Sequence, residues 1–90
     1  MLIEIKVLDD ELYTRYAEKV PEIVKKHGGR YLVQGGKVIP MFGNWNPERI
    51  VLIEFETEEK LRNCFNSVEY LKIASFRENS TITKSVIVNG

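Results

Sequence analysis

One cysteine, Cys64, one histidine, His27, and one tryptophan, Trp45, are all that the 90 residues hold of these three types. A lone cysteine closes no internal disulfide, and one histidine with one cysteine and no clustered ligand spacing builds no typical transition-metal site from one chain. Neither sign of charge is in excess: 13 basic residues balance 13 acidic ones, so no net field draws in DNA, RNA or an anionic membrane. No apolar run approaches the ~20 residues that span a bilayer, the longest being broken by Glu4, Lys6 and Glu54. The start Met1-Leu2-Ile3-Glu4 has neither the basic opening nor the apolar core of a secretory signal. These absences set the expectations: a cytoplasmic protein, no nucleic-acid or membrane partner, no metal and no bound cofactor.

The composition is that of an ordinary globular domain, 43% hydrophobic and 29% charged, and one domain is expected over residues 1–90. So short a chain buries only a little over ~60% of its unfolded surface, which leaves a thin margin of stability and favours pairing with a second copy.

Leu2 to Leu8 alternates, Ile3, Ile5 and Val7 against Glu4 and Lys6, the period of a strand. Asp9-Asp10-Glu11 supplies a cap and an acidic first turn for a helix whose stripe runs Leu12, Tyr13, Tyr16, Ala17, Val20, Ile23, Val24 and His27. Pro21 predicts a kink there or two short helices meeting, and Gly28-Gly29 ends the element. Arg30 to Gln34 reads as a second strand, Gly35-Gly36 as a turn or bulge, Lys37 to Phe42 as an extension carrying Pro40, and 43–47 as a loop. Arg49 to Glu56 is a strand apolar on both faces and so central in a sheet. Thr57 caps a helix bearing Leu61, Cys64 and Phe65, Ser67 caps further helix from Val68 to about Phe76, and Thr81 to Val88 is the last strand. The order βαββαβ predicts an α+β, ferredoxin-like fold, one antiparallel sheet with its helices on one face. Whichever side chains the other face carries, Ile3 and Val51 or Leu2 and Leu52, it is too apolar for water, and a second subunit is the expected cover.

The combination Tyr13-x-x-Tyr16, Val20-Pro21-Glu22, His27-Gly28-Gly29-Arg30-Tyr31-Leu32, Gly43-x-Trp45-x-Pro47-Glu48-Arg49, Ile53-Glu54-Phe55 and Ser67-x-Glu69-Tyr70 resembles a family of small, mostly bacterial proteins, domain of unknown function 1330. The resemblance covers nearly the whole chain. It implies a dimeric α/β barrel, two ferredoxin-like sheets packed face to face, and no established reaction. Phe42 stands where the family usually has a glutamate, which puts any acid–base role for that position in doubt. Val68 replaces a common proline and removes no reactive group.

His27 is the candidate proton shuttle, since imidazole titrates near neutrality; its alternative is a packed residue interacting with helix-terminal carbonyls. Trp45 and Asn44 are candidate pocket wall and hydrogen-bonding handle, against a tryptophan that pins a loop onto the sheet. Arg30 and Arg77 are candidate holders of a carboxylate or enolate through the guanidinium fork, against ion pairing with glutamates, which is the reading taken for Arg49. Glu54 interrupts an apolar strand, so burial would raise its pKa and make it an acid or base; alternatively it pairs with Lys6 or an arginine. Tyr13 and Tyr16 are able to offer hydroxyls to a ligand, though tyrosines at helical spacing also serve as core. Cys64 lies on an apolar stripe with nothing near to lower its pKa.

Two functions fit. The first is a small homodimer binding an organic molecule between sheet and helices and transforming it without a cofactor, in analogy with the monooxygenases and lactone isomerases that share the general fold. The second is a non-catalytic dimerisation or binding module, with His27 and Trp45 fully packed in a sealed interior.

Overall fold

The computed structural model describes residues 1–90. The alternation at the start of the chain becomes β1 (Leu2–Val7), followed by α1 (Asp10–Lys26), β2 (Arg30–Gln34), β3 (Arg49–Glu54), α2 (Glu58–Phe65), α3 (Val68–Leu71), α4 (Ala74–Ser80) and β4 (Thr81–Val86). The four strands form one antiparallel sheet in the order β2-β3-β1-β4. This is the ferredoxin-like fold, with the helices on one face.

Register decides which side chains meet the helices. Ile3 pairs with Val51 and Tyr31 with Ile53, and these face α1, whose Tyr16, Val20 and Val24 are buried in one row at i, i+4 and i+8. Cys64, Tyr70, Ile73 and Ala74 complete the core. Leu52, Leu2 and Val86 stand in register with Val33 on the opposite face.

Five features differ from those read in the sequence. α1 runs unbroken through Pro21: proline removes one ladder bond, but buried residues on both sides of it hold the two halves in line against the sheet. After Gln34 the chain leaves the sheet at Gly35 and Gly36, so Lys37–Phe42 extends nothing, and Pro40 has no amide hydrogen to offer a ladder. Strand β3 stops at Glu54, opposite Arg30 where β2 begins, and β4 stops at Val86, opposite Leu2 where β1 begins. The helix expected over 68–76 is two, α3 and α4, because Ile73 N–H bonds Tyr70 O (2.9 Å) and Phe76 N–H bonds Ile73 O (3.0 Å), three-residue closures that turn the axis between them.

The turn from α1 into β2 depends on a missing side chain. A Cβ on Gly29 would come within 2.5 Å of Val24 Cγ1 and 2.8 Å of the Phe55 ring. Gly29→Ala is therefore expected to cost about 1–3 kcal/mol through overpacking, seen as a lower urea midpoint; a variant as stable as the parent would contradict this packing.

Candidate functional site

Between the sheet and the helices lies a cleft of about 520 Å³, a size suited to a small organic ligand. Ile3, Ile5, Val51 and Ile53 form its floor, and α1 contributes Tyr13, Tyr16, Ala17 and Val20. Tyr31 comes from β2, Tyr70 from α3, and Arg77 and Glu78 from α4, while Arg49 and Gln34 stand at the ends of β3 and β2. All four tyrosines of the chain line this one space.

Local sequence explains how they converge. Tyr13 and Tyr16, three residues apart on α1, present rings 6.1 Å apart to the sheet. Tyr70 is set by the cap of its short helix, where Ser67 Oγ accepts the Tyr70 amide (3.1 Å) and donates to Cys64 O (2.6 Å). The Tyr16 and Tyr70 hydroxyls then meet at 2.9 Å, and Arg77 Nε donates to Tyr70 Oη at 3.1 Å. Each phenol has one hydrogen and a single hydrogen bond joins the pair, so whichever donates, one hydroxyl hydrogen is left over to bond something else. Burial, reinforced at Tyr16 by Tyr70, holds the Tyr16 phenol well above its ordinary pKa; Tyr31 is raised by burial too, and Tyr13 by burial against the opposing charge of Arg49. These phenols are neutral donors near pH 7, not bases.

The residues singled out in the sequence divide into two groups. Tyr13, Tyr16 and Arg77 line the cleft. His27, Arg30, Asn44, Trp45 and Glu54 do not, and a proton shuttle in this cleft therefore does not fall to His27. Its Nδ1 lies 2.9 Å from Ile23 O at the end of α1; since a carbonyl only accepts, Nδ1 carries the hydrogen. Cys64 Sγ approaches the same carbonyl at 4.0 Å, its thiol pushed up to about 11 by burial and by Glu69, so no thiolate–imidazole pair forms. Arg30 is bound to Glu54 at 2.9 Å across the β2–β3 ladder, both largely exposed; the alternation that places Ile53 inward turns Glu54 outward, away from the burial expected for it. Trp45, 54% exposed, donates from Nε1 to Glu4 Oε2 (3.2 Å), which ties the loop to the strand face opposite the cleft, and Asn44 is exposed beside it. Conversely Arg49, read as ion-paired, pairs with no carboxylate, and Tyr31 and Tyr70 join the cleft without a signal in the sequence: alternation alone would set Tyr31 and Val33 on one face, and the register shift between them sends Val33 to the other. No three His, Cys, Asp or Glu side chains gather where they could hold a metal ion.

The outer face mixes an apolar row with charged side chains, Glu4, Lys84 and the Arg30–Glu54 pair among them. Val33, Leu52, Leu2 and Val86 make a row across all four strands, with Leu32 exposed next to Val33 on β2. In the loop beyond Gly36, Ile39, Met41 and Phe42 are exposed as well, the last two 83%. No helix is long and apolar enough to cross a membrane.

The family model for DUF1330, a domain of unknown function, matches residues 1–90. Among solved structures, a protein of unknown function from Rhodopseudomonas palustris, a structural-genomics target, is similar with a TM-score of 0.73 at 12% identity, over 98% of this chain and 81% of that one. At that identity the likeness is one of fold. No curated protein matches.

The raised phenols give a pH prediction. The folded chain keeps protons that the unfolded chain releases at about pH 10, so this stabilisation is present in full below that pH and is lost as pH rises beyond it. Phenolate absorbance is expected to lag that of the urea-unfolded chain and to rise together with loss of the circular-dichroism signal. Tyr13, Tyr16 and Tyr31 titrating near pH 10 with the fold intact would contradict their buried placement.

Proposed function

This chain belongs to the DUF1330 family, and from that premise we propose that it is a small-molecule-binding protein, its ligand seated in the tyrosine-lined cleft and two copies paired through their outer sheet faces as an α/β barrel. The observation that carries the reading is the convergence of all four tyrosines with two guanidiniums on one apolar-floored cleft. A core needs no such set: burying phenols and arginines costs free energy unless each polar atom is matched, and here the Tyr13 and Tyr31 hydroxyls bond no protein atom, the Tyr16–Tyr70 pair has one hydroxyl hydrogen to spare, and Arg49 meets a ring face but no anion. Such groups recognise oxygen atoms on a ligand whose body lies against Ile5 and Val51. If the bound molecule is transformed, the groups in reach are hydrogen-bond donors that stabilise developing negative charge on oxygen, the chemistry an enolate would need; His27 and Glu54 lie outside that reach.

The pairing of copies rests on the four-residue apolar row of the outer face, whose exposure in a lone chain is costly. A module built only for assembly would have a closed interior, and the open cleft and half-exposed Trp45 favour the binding reading over it.

Native mass spectrometry of the purified chain is expected to give a dimer, and Leu52→Glu a folded monomer by circular dichroism, since it places charge in the outer row. Saturation-transfer NMR with benzyl alcohol as probe is expected to show contact with the wild-type chain and none with Ala17→Phe, which fills the cleft from α1. A monomeric wild type would refute the barrel, and benzyl alcohol contacting Ala17→Phe as strongly as the wild type would refute the cleft.

A further inference from the structure

The two guanidiniums of the cleft are not equivalent. That of Arg77 is engaged, its Nε donating to Tyr70 and its Nη2 3.8 Å from Glu78. That of Arg49 has no anion, yet it is held from two sides. Its Cζ lies 5.5 Å from the centre of the Tyr13 ring, a cation–π contact. On the other side it fills the space that a side chain at position 35 would take: a Cβ on Gly35 would come within 2.5 Å of Arg49 Nη1.

Gly35 is fixed there independently of the arginine. Its φ of 83° lies in the left-handed region, which glycine adopts without strain, and its N–H donates to Ile50 O at 3.1 Å, tying the turn to β3 one residue beyond Arg49. One glycine thus both ends β2 and opens the berth for the guanidinium. The side-chain freedom that an arginine ordinarily loses on binding is already restricted, so less is lost when a ligand arrives. Charge points the same way, because among the lining side chains Arg49 and Arg77 face a single carboxylate, Glu78.

Resting on the cleft reading above, we propose that Arg49, held between Gly35 and Tyr13, receives the carboxylate of a small organic acid whose aromatic or unsaturated body lies along the apolar floor. The planar fork of the guanidinium matches a carboxylate with two parallel hydrogen bonds. The floor supplied by Ile5 and Val51 selects an organic body over an inorganic anion. The spare hydroxyl hydrogen of the Tyr16–Tyr70 pair is the donor for a second oxygen, keto or hydroxyl, on the same molecule.

Calorimetric titration with benzoate and its uncharged analogue benzamide tests the assignment. Benzoate is expected to bind the wild-type chain at least about tenfold more tightly than benzamide, a margin within reach of one charge-assisted bidentate contact. Arg49→Gln should abolish that preference while leaving benzamide unchanged. Arg49→Lys, which keeps the charge and loses the fork, should retain part of it, and guards against a Gln variant that misfolds. Gly35→Ala should weaken benzoate selectively by displacing the guanidinium. Equal binding of the two probes, or benzoate binding indifferent to Arg49→Gln, overturns the carboxylate site; if Ala17→Phe still blocks both probes, the cleft reading survives that failure. Binding of neither probe to the wild type overturns both.

Discussion

The pairing of β1 with β3 at the centre of the sheet, Leu2 opposite Leu52 and Ile3 opposite Val51, sorts every side chain of both strands to one face or the other, and a slip of one residue would exchange the two faces entirely. With this register Ile3, Ile5, Val51 and Ile53 meet the helices and also floor the cleft. The same register sends Leu2, Leu52, Glu4 and Glu54 outward, where the first two join the apolar row, Glu4 anchors Trp45, and Glu54 meets Arg30. Core, cleft and outer face are thus three results of one alignment.

Above that floor, the helices bring polar atoms together in an order of decreasing commitment. Arg77 is fastened to Tyr70, Tyr70 to Tyr16, and Tyr16 packs beside Tyr13, whose ring carries Arg49. A cationic donor at one end of the line polarises the phenols in sequence, while the cation at the other end touches only a ring face. The row is satisfied at the α4 end and unsatisfied at the β3 end, and that asymmetry is what gives the cleft a direction.

Much of this fold is written in local patterns. Alternation in Leu2–Val7, the Asp9 and Thr57 caps, whose side chains accept the amides of Leu12 and Lys60, and the apolar run of β3 all show in the chain. The continuity of α1 does not, because proline's local penalty is overridden by packing on a sheet assembled from distant residues. The site was less legible. Residues rare in the sequence, His27 and Trp45, attract attention as candidates for chemistry, yet the fold places them at a helix end and on a loop over the far face. Arg49 looks paired on paper because Glu48 and Glu54 are close in sequence, but neighbours along a strand point to opposite faces or lie too far along it. What distinguishes the cleft residues is convergence in space: Tyr16 and Tyr70 stand 54 positions apart, and nothing local signals their contact.

The irregularity between Tyr31 and Val33, where β2 shifts register against β3, has a consequence of its own. Strand β2 lies at the border of the sheet, and a straight border strand offers its free amides and carbonyls as a template on which further chains can add without limit. An inserted residue bends and twists that border, so successive backbone groups no longer fall in line for an incoming strand. Of the two free edges of the sheet, β2 and β4, the β2 side is thereby made a poor template for growth into fibrils.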